Sequence, residues 1–387
     1  MKARGMNGVK YVSYHEVSGY ARAARSFLLG LQEARVPMTW TPMVPGKKWR
    51  LGYEPYIGTS VGIPELDGLC NRRIPYDTVI VHLTPEYLPH WRKAEPNKRI
   101  LLHTVWETDR LPQHWPPLLN TADAIIVPCR WNRHVFRQCG VTSPIHVVPH
   151  ILDPLHNGDR ADYLELDPAL YVFYTIGDWT ERKAIGDLVR CYLDTFSARD
   201  PVLLLVKTSP KDETTRGFGR FRRSTARTVR NMIRAYESPA RLFLIREEIS
   251  DARLQALHHK GDCYVSLCRS EGWGLGAFEA AGAGNPVIIT SYGGHLDYLN
   301  EDSAYLVGRR LEPVRVRRGR KSYSPDQHWA MPDLSDAKRL MRHVFETRKE
   351  AAGKGRLLQQ SVRQRFDKDV IIPQMMDVIR RASFCVH

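Results

Sequence analysis

Short apolar runs rich in β-branched and aromatic residues recur along this chain, separated by segments long enough for a helix, and that alternation restricts the fold more than any other feature. Runs without polar–apolar alternation suit strands covered on both faces, and parallel strands need a crossover, so the pattern predicts parallel sheets wrapped by helices. A first set of strands is expected at Val9 to Tyr14, Thr78 to Leu83, Arg99 to Trp106, Ala124 to Pro128 and Ile145 to Pro149. A second set is expected at Leu170 to Ile176, Val202 to Lys207, Leu242 to Arg246, Cys263 to Leu267 and Val287 to Thr290. Between them, 151–169 is rich in Asp, Pro and Gly and reads as a linker. At 387 residues, 43% of them hydrophobic, the chain can bury two cores, so the expectation is an α/β protein with domains at 1–150 and 170–365 and a terminal helix from about Lys368 to Ala382 within 366–387.

The chemistry is concentrated in Ser270 to Ala280, where Glu271 and Glu279 stand eight positions apart around Gly272, Trp273, Gly274, Leu275 and Gly276. Tyr264 to Cys268 reads as a buried strand, and Phe278, Ala280, Ala281 and Ala283 read as the packed side of a helix that begins near Gly274. The first-turn amides of such a helix lack internal partners and carry partial positive charge, which suits a diphosphate. Were the whole stretch helical, its rise would separate Glu271 from Glu279 by about 12 Å at most, placing one near a sugar ring and the other near a ribose. The plain alternative is a glycine-rich strand-to-helix turn of some other α/β protein.

This run resembles the E-x7-E signature of retaining glycosyltransferases of the GT-B fold, in particular the large family 4 group, and Asn285 to Ser291 followed by Tyr292-Gly293-Gly294-His295 extends the resemblance. The resemblance implies two Rossmann-like domains whose parallel sheets face a central cleft, the first on the acceptor side and the second binding the nucleotide sugar, with the last helix crossing back to the first. It also implies a UDP- or GDP-linked donor, retention of configuration, and no cofactor or metal. Tyr174 to Ala184 looks like the family's phosphate-binding turn G-R-x4-K-G, but Asp178 replaces the arginine and Ala184 the final glycine. Lys183 falls on the family's lysine; Arg182 can supply the missing cation, and Lys207 ends the next strand. Such cations would offset the charge that grows on the leaving diphosphate. Tyr14 to Arg22 resembles the family's glycine loop, which brings Gly19 to the donor phosphates or the acceptor and turns His15 or Glu16 to the cleft. Glu107, with Asp109 as runner-up, falls where related enzymes place a polar residue near the reacting sugar. Glu271, Lys183, Arg182 and Glu107 are therefore the catalytic candidates. Arg130-Trp131-Asn132 resembles a turn that opens a helix and reads as structural. No residue stands out as a nucleophile, so same-face attack by the acceptor is favoured over a two-carboxylate mechanism.

The formal charge of +15 lies mostly in two places. Arg216 to Arg234 holds seven arginines and no acid, and Arg216, Arg220, Arg223, Arg227, Arg230 and Arg234 follow a 4-3-4-3-4 spacing that lines them on one face of a helix. Arg309 to Lys321 holds seven basic residues against Glu312 alone and reads as an extended loop. Closely spaced like charges repel unless an anion neutralises them, so Arg220, Arg223, Arg227 and Arg230, with His15, are candidate acceptor contacts. The acceptor expected is polyanionic: nucleic acid bearing a hydroxylated base is favoured, which would make the reaction DNA glycosylation, and an envelope polysaccharide or lipid-linked glycan is the alternative. A nucleotide-sugar epimerase and a catalytically dead nucleic-acid-binding protein are lesser alternatives, and a solvated basic face is the structural one. No apolar run approaches the length of a membrane span and no signal core opens the chain, so a cytoplasmic location is expected, with peripheral membrane contact open. The seven scattered cysteines read as reduced core residues. Asp367-Lys368-Asp369 has the form of a metal motif but reads as an exposed helix start.

Overall fold

A computed structural model describes residues 8–49, 51–153, 164–215, 224–316 and 322–384. The chain divides into two compact units: Met1–Trp106, Arg110–Asp153 and Phe366–His387 form the first, and Glu107–Asp109 with Pro154–Arg365 form the second.

The first unit is built on a seven-stranded sheet of β1 (Val9–Tyr14), β2 (Met38–Pro45), β3 (Tyr53–Pro55), β4 (Thr78–His82), β5 (Arg99–His103), β6 (Ala124–Val127) and β7 (Ile145–Val147), in the order β3-β2-β1-β4-β5-β6-β7. Every pairing is parallel except β2 with β3. Val9, Tyr11, Val12 and Ser13 are all buried, so β1 is covered on both faces, which is why it lacks regular polar–apolar alternation. Helices α1 (Gly19–Glu33), α2 (Pro64–Asp67), α3 (Leu88–Ala94), α4 (Trp115–Leu119) and α5 (Arg130–Gln138) connect the strands. On α1, Ala23, Ala24, Phe27, Leu28 and Leu31 recur at helical spacing and are buried.

The second unit carries a parallel six-stranded sheet of β8 (Tyr171–Ile176), β9 (Val202–Lys207), β10 (Arg241–Ile245), β11 (Cys263–Ser266), β12 (Val287–Thr290) and β13 (Tyr305–Val307), ordered β10-β9-β8-β11-β12-β13. An antiparallel hairpin, β14 (Arg309–Pro313) with β15 (His328–Pro332), follows it. Its helices are α6 (Ile185–Thr195), α7 (Thr225–Ile233), α8 (Asp251–Lys260), α9 (Leu275–Ala283), α10 (Leu334–Glu346) and α11 (Arg348–Phe366). Phe173, Trp179, Tyr192, Phe196, Leu204 and Val265 form the centre of its core. The last helix, α12 (Lys368–Phe384), belongs to the first unit, where Lys368 Nζ lies 2.5 Å from Glu33 Oε1 at the end of α1.

Several elements depart from the sequence expectation. β2 contains Pro42 and Pro45, which normally argue against a strand, yet its outer neighbour is only the three-residue β3, and strands near a sheet edge accept proline. β13 has three residues, too few for a pattern. The stretch beginning at Arg309 is a strand, although Arg309, Arg310 and Leu311 are exposed, because a hairpin needs no buried face to satisfy its backbone. β5 stops at His103, three residues early, because side chains take over its backbone bonds. The Val105 amide donates to Tyr20 Oη at 3.2 Å, the Trp106 amide donates to Asn132 Oδ1 at 3.1 Å, and Asn132 Nδ2 donates to the Trp106 carbonyl at 2.8 Å. Fully buried Asn132 on α5 thus steers the chain out of the first sheet immediately before Glu107.

Candidate active site

The donor-type turn lies at the carboxyl ends of β8, β9 and β11 in the second unit. After β8 the Gly177 amide donates to the Lys207 carbonyl at 3.0 Å, Trp179 packs into the core, and the chain reaches Arg182 and Lys183 just before α6. Ala184, where a glycine was expected, adopts φ of +48° as the residue before the helix, a left-handed conformation that costs an alanine roughly 1–2 kcal/mol.

After β11 the chain passes Ser270 and Glu271 and enters α9 at Leu275, so the helix includes Glu279 but not Glu271. Gly274 precedes it with φ of +84°, which favours glycine. Gly293 has φ of +118°, and a Cβ there would lie 2.5 Å from the Glu271 carbonyl, while the Gly294 amide donates to that carbonyl at 2.8 Å. The glycine turn after β12 therefore holds the Glu271 backbone from behind.

Four charged side chains from three separate segments of the chain meet at this turn. Lys183 Nζ lies 2.5 Å from Glu271 Oε1, Arg182 Nη1 lies 3.0 Å from Glu271 Oε2, and Arg182 Nη2 lies 3.5 Å from Glu107 Oε1. Arg182 Nη1 also donates to the Ser270 carbonyl at 2.8 Å, and Ser270 Oγ donates to the Glu107 carbonyl. Burial would raise the Glu271 carboxyl, but Lys183 and Arg182 outweigh it and hold the group at about 2. The array is electrically balanced, two cations against two carboxylates. Lys207 ends β9 half-buried, and burial depresses its ammonium against the pull of Asp178, Glu247 and Glu248; among the described residues it has no carboxylate within ion-pair distance.

Glu107 reaches this array because the segment 107–109 is fastened to the hairpin region. Tyr323 Oη donates to Glu107 Oε2 at 3.4 Å, and Thr108 Oγ1 lies 3.3 Å from Gln327 Oε1. Asp109 accepts from the His328 amide at 2.5 Å and lies 3.1 Å from its Nδ1. Asp109, the runner-up to Glu107, is thus a fastener of the segment.

Glu279 sits apart from these cations in a network with partners unseen in the sequence reading. Asn285 Nδ2 donates to Tyr174 Oη at 2.7 Å, Tyr174 Oη lies 2.8 Å from His258 Nδ1, and His258 Nε2 faces Glu279 Oε2 at 3.3 Å. No local spacing links these residues, since they come from β8, α8, α9 and the turn before β12. His295 is a further buried histidine beside the turn, donating Nε2–H to the Thr290 carbonyl at 2.8 Å.

The remaining candidates are placed as follows. Trp273 is 3% exposed and packs against Phe278 and Tyr298, so its side chain is a core group, and a ligand could meet only its backbone. Gly272 is buried and Leu275 half-buried, and a Cβ on Gly276 would lie 2.5 Å from Tyr264 Oη, a packing reason for that glycine. In the first unit, Gly19 opens α1 behind the Ser18 cap, and half-buried His15 meets Trp40 edge-on, with burial lowering its imidazole pKa. Arg227 and Arg230 are exposed on α7 and Arg234 at its end, none with a carboxylate partner among the described residues; Arg216, Arg220 and Arg223 lie outside those residues, as do parts of the linker and of the second basic segment. Asp367 Oδ1 accepts from the Asp369 amide at 2.8 Å, a helix-start contact. Among the described residues no three His, Cys, Asp or Glu side chains converge as metal ligands, and no helix is long and apolar enough to cross a membrane.

Residues 222–312, which include Glu271 and Glu279 but not Arg182 or Lys183, match the family model described as glycosyl transferases group 1. No curated protein sequence matches the chain. Among solved structures, sucrose-phosphate synthase of Thermosynechococcus elongatus superposes with a TM-score of 0.71 at 14% identity, covering 98% of this chain and 100% of that one. A glycosyltransferase of Rickettsia africae gives 0.68 at 12% identity, covering 99% and 100%. HepE of Anabaena, in complex with UDP and glucose, gives 0.63 at 13% identity, covering 97% and 100%. The chain has the GT-B fold of the glycosyltransferases.

Proposed function

We propose that this chain, which has the GT-B fold and matches a glycosyltransferase family model over residues 222–312, moves a sugar from a UDP-linked donor to a hydroxyl of a polyanionic acceptor with retention of configuration. The observation that carries the reading is the buried Glu271 held between Lys183 and Arg182. Two cations at the carboxyl ends of parallel strands are matched to a diphosphate, and Glu271 neutralises them until one arrives. A diphosphate would draw Lys183 and Arg182 onto its oxygens, with Lys207 as a third cation, and these groups stabilise the charge that develops as the glycosidic bond breaks. Glu271, released from its counter-ions, and Glu107 are then left to accept hydroxyl hydrogen bonds from the sugar, while Glu279, oriented by His258, accepts from the ribose. The UDP in the Anabaena structure supports the choice of base. Retention rests on the likeness to family 4: the acceptor attacks on the face the diphosphate leaves, and a diphosphate oxygen takes its proton. All the cations this reading requires are side chains.

For the acceptor, the exposed arginines of α7 favour nucleic acid bearing a hydroxylated base over an envelope or lipid-linked glycan. The test is UDP-glucose turnover by the full chain with duplex DNA containing 5-hydroxymethylcytosine, with unmodified DNA, and with no acceptor. Transfer confined to the hydroxymethylated duplex supports the whole reading. Slow donor hydrolysis unaffected by any DNA keeps the transferase and removes nucleic acid as acceptor.

A further inference from the structure

We propose that a cavity of about 500 Å³ in the second unit binds a phosphate group at a site separate from the donor turn. Arg269, from the loop after β11, and Arg309 and Arg310, from β14, line it together with Asp187 of α6 and Asp333 and Ser335 at the start of α10. None of Arg182, Lys183, Lys207, Glu271 or Glu279 lines it. Its volume falls within the range of small-ligand sites, on the order of 300–1,000 Å³.

The carboxylates at the cavity are already committed. Asp333 Oδ1 accepts from the Ser335 amide at 2.9 Å and the Asp336 amide at 3.1 Å, capping α10, so the helix amides are occupied and the site does not rest on them. Asp187 lies 3.3 Å from Arg269 Nη2 and 3.2 Å from Arg190 Nη1. Against these, Arg309 lies over the Tyr292 ring with no carboxylate within ion-pair distance among the described residues. Among the described residues buried Arg269 Nε has no hydrogen-bond partner, and the guanidinium lies over Trp329. Among the described residues Arg310 pairs only with Glu312, at an exposed position where such a pair is weak. Arg309, without a carboxylate partner among the described residues, and weakly paired Arg310 therefore supply the least committed cations of the cavity lining. Planar guanidinium forks match the oxygens of a tetrahedral phosphate better than they match a carbohydrate hydroxyl.

The cavity shares backbone with the donor turn. The Arg269 amide donates to the Arg182 carbonyl at 2.7 Å, and the Ala330 amide donates to the Arg269 carbonyl at 2.8 Å. A phosphate here is thus one hydrogen bond removed from the residue that holds Glu271. The site itself does not depend on the donor reading, but an acceptor phosphate as its source rests on the polyanionic acceptor proposed above.

The experiment is calorimetric titration of inorganic phosphate into the full chain saturated with UDP, so that the donor turn is filled, using wild type, Arg309→Ala, Arg309→Lys and Arg310→Ala. The expected result is saturable binding by wild type, about tenfold weaker in each alanine variant, with the lysine variant intermediate because an ammonium cannot form the fork. UDP titrations of the same proteins report their folding, and failure of UDP to bind wild type would defeat the donor reading while leaving the phosphate titration interpretable. Absence of phosphate binding, or equal affinity in wild type and alanine variants, would overturn the site. Competition by unmodified duplex DNA then separates the sources: displacement of phosphate identifies a nucleic-acid backbone, and its retention identifies a free or small-molecule phosphate.

Discussion

Lys183 and Glu271 stand 88 positions apart in the chain, yet Lys183 Nζ lies 2.5 Å from Glu271 Oε1. Arg182 takes the other carboxylate oxygen, so Glu271 is bound on both sides by the two cations to which a phosphate-binding role is assigned. An anionic ligand that uses them must displace a carboxylate.

This pairing makes the protein sensitive to acid. The Glu271 carboxyl is held at about 2 against an ordinary value of 4.5, so it stays charged in the folded state where the unfolded chain would take up a proton. The stabilisation is complete above about pH 4.5 and disappears as pH falls towards 2, to an upper bound of about 3 kcal/mol. Glu271→Gln should lower Tm at pH 7, because it leaves Arg182 and Lys183 without their shared counter-ion, and should flatten the decline of Tm in that acid window. Thermal unfolding of both proteins from pH 7 to pH 2.5 checks both points; parallel curves would disprove the assignment.

Ala184→Gly should be neutral or stabilising, by up to about 1 kcal/mol, because glycine relieves the left-handed strain that alanine bears before α6. Replacement of a buried alanine elsewhere in the core would be destabilising. Urea unfolding midpoints of the two proteins decide it, and a loss of more than about 1 kcal/mol would show that the methyl group matters more than the backbone.

Asp109→Asn should loosen the 107–109 segment by removing the charged acceptor for His328. Turnover should fall by about tenfold or more while UDP affinity stays within about twofold, since Arg182 and Lys183 keep Glu271. Steady-state kinetics on UDP-glucose, together with UDP binding, separates this from general unfolding, which would reduce both.

Neutralising Arg227 and Arg230 together should raise the KM for a DNA acceptor and reduce the slope of log KM against log salt, each arginine contributing about 0.9 if it meets a duplex phosphate. Donor affinity should remain. An unchanged salt slope would assign the exposed face of α7 to solvent.

The two sheets were legible because doubly covered strands such as β9 are nearly continuous apolar runs, whose signal needs only local sequence. β2 was concealed by Pro42 and Pro45, and β14 by its exposed arginines, since each depends on a neighbouring strand that no local pattern announces. Lys183 and the two glutamates stood out through motif spacing. What could not be read was how they meet: Ser270 and Glu107 are joined across 163 positions, and His258 reaches Glu279 from a different helix. Arg130-Trp131-Asn132 marks the opening of α5, but the grip of Asn132 on Trp106, just before Glu107, is a tertiary contact.

Lys183 and Arg182 are the side chains on which binding of the donor diphosphate most directly depends. Calorimetric titration of UDP into wild type and Lys183→Ala tests this, with circular dichroism confirming that the variant is folded. The account predicts UDP binding by wild type and a loss of affinity of about tenfold to a hundredfold in the variant, as expected for removing a charge-assisted contact to phosphate. Equal UDP affinity in the two folded proteins would contradict it.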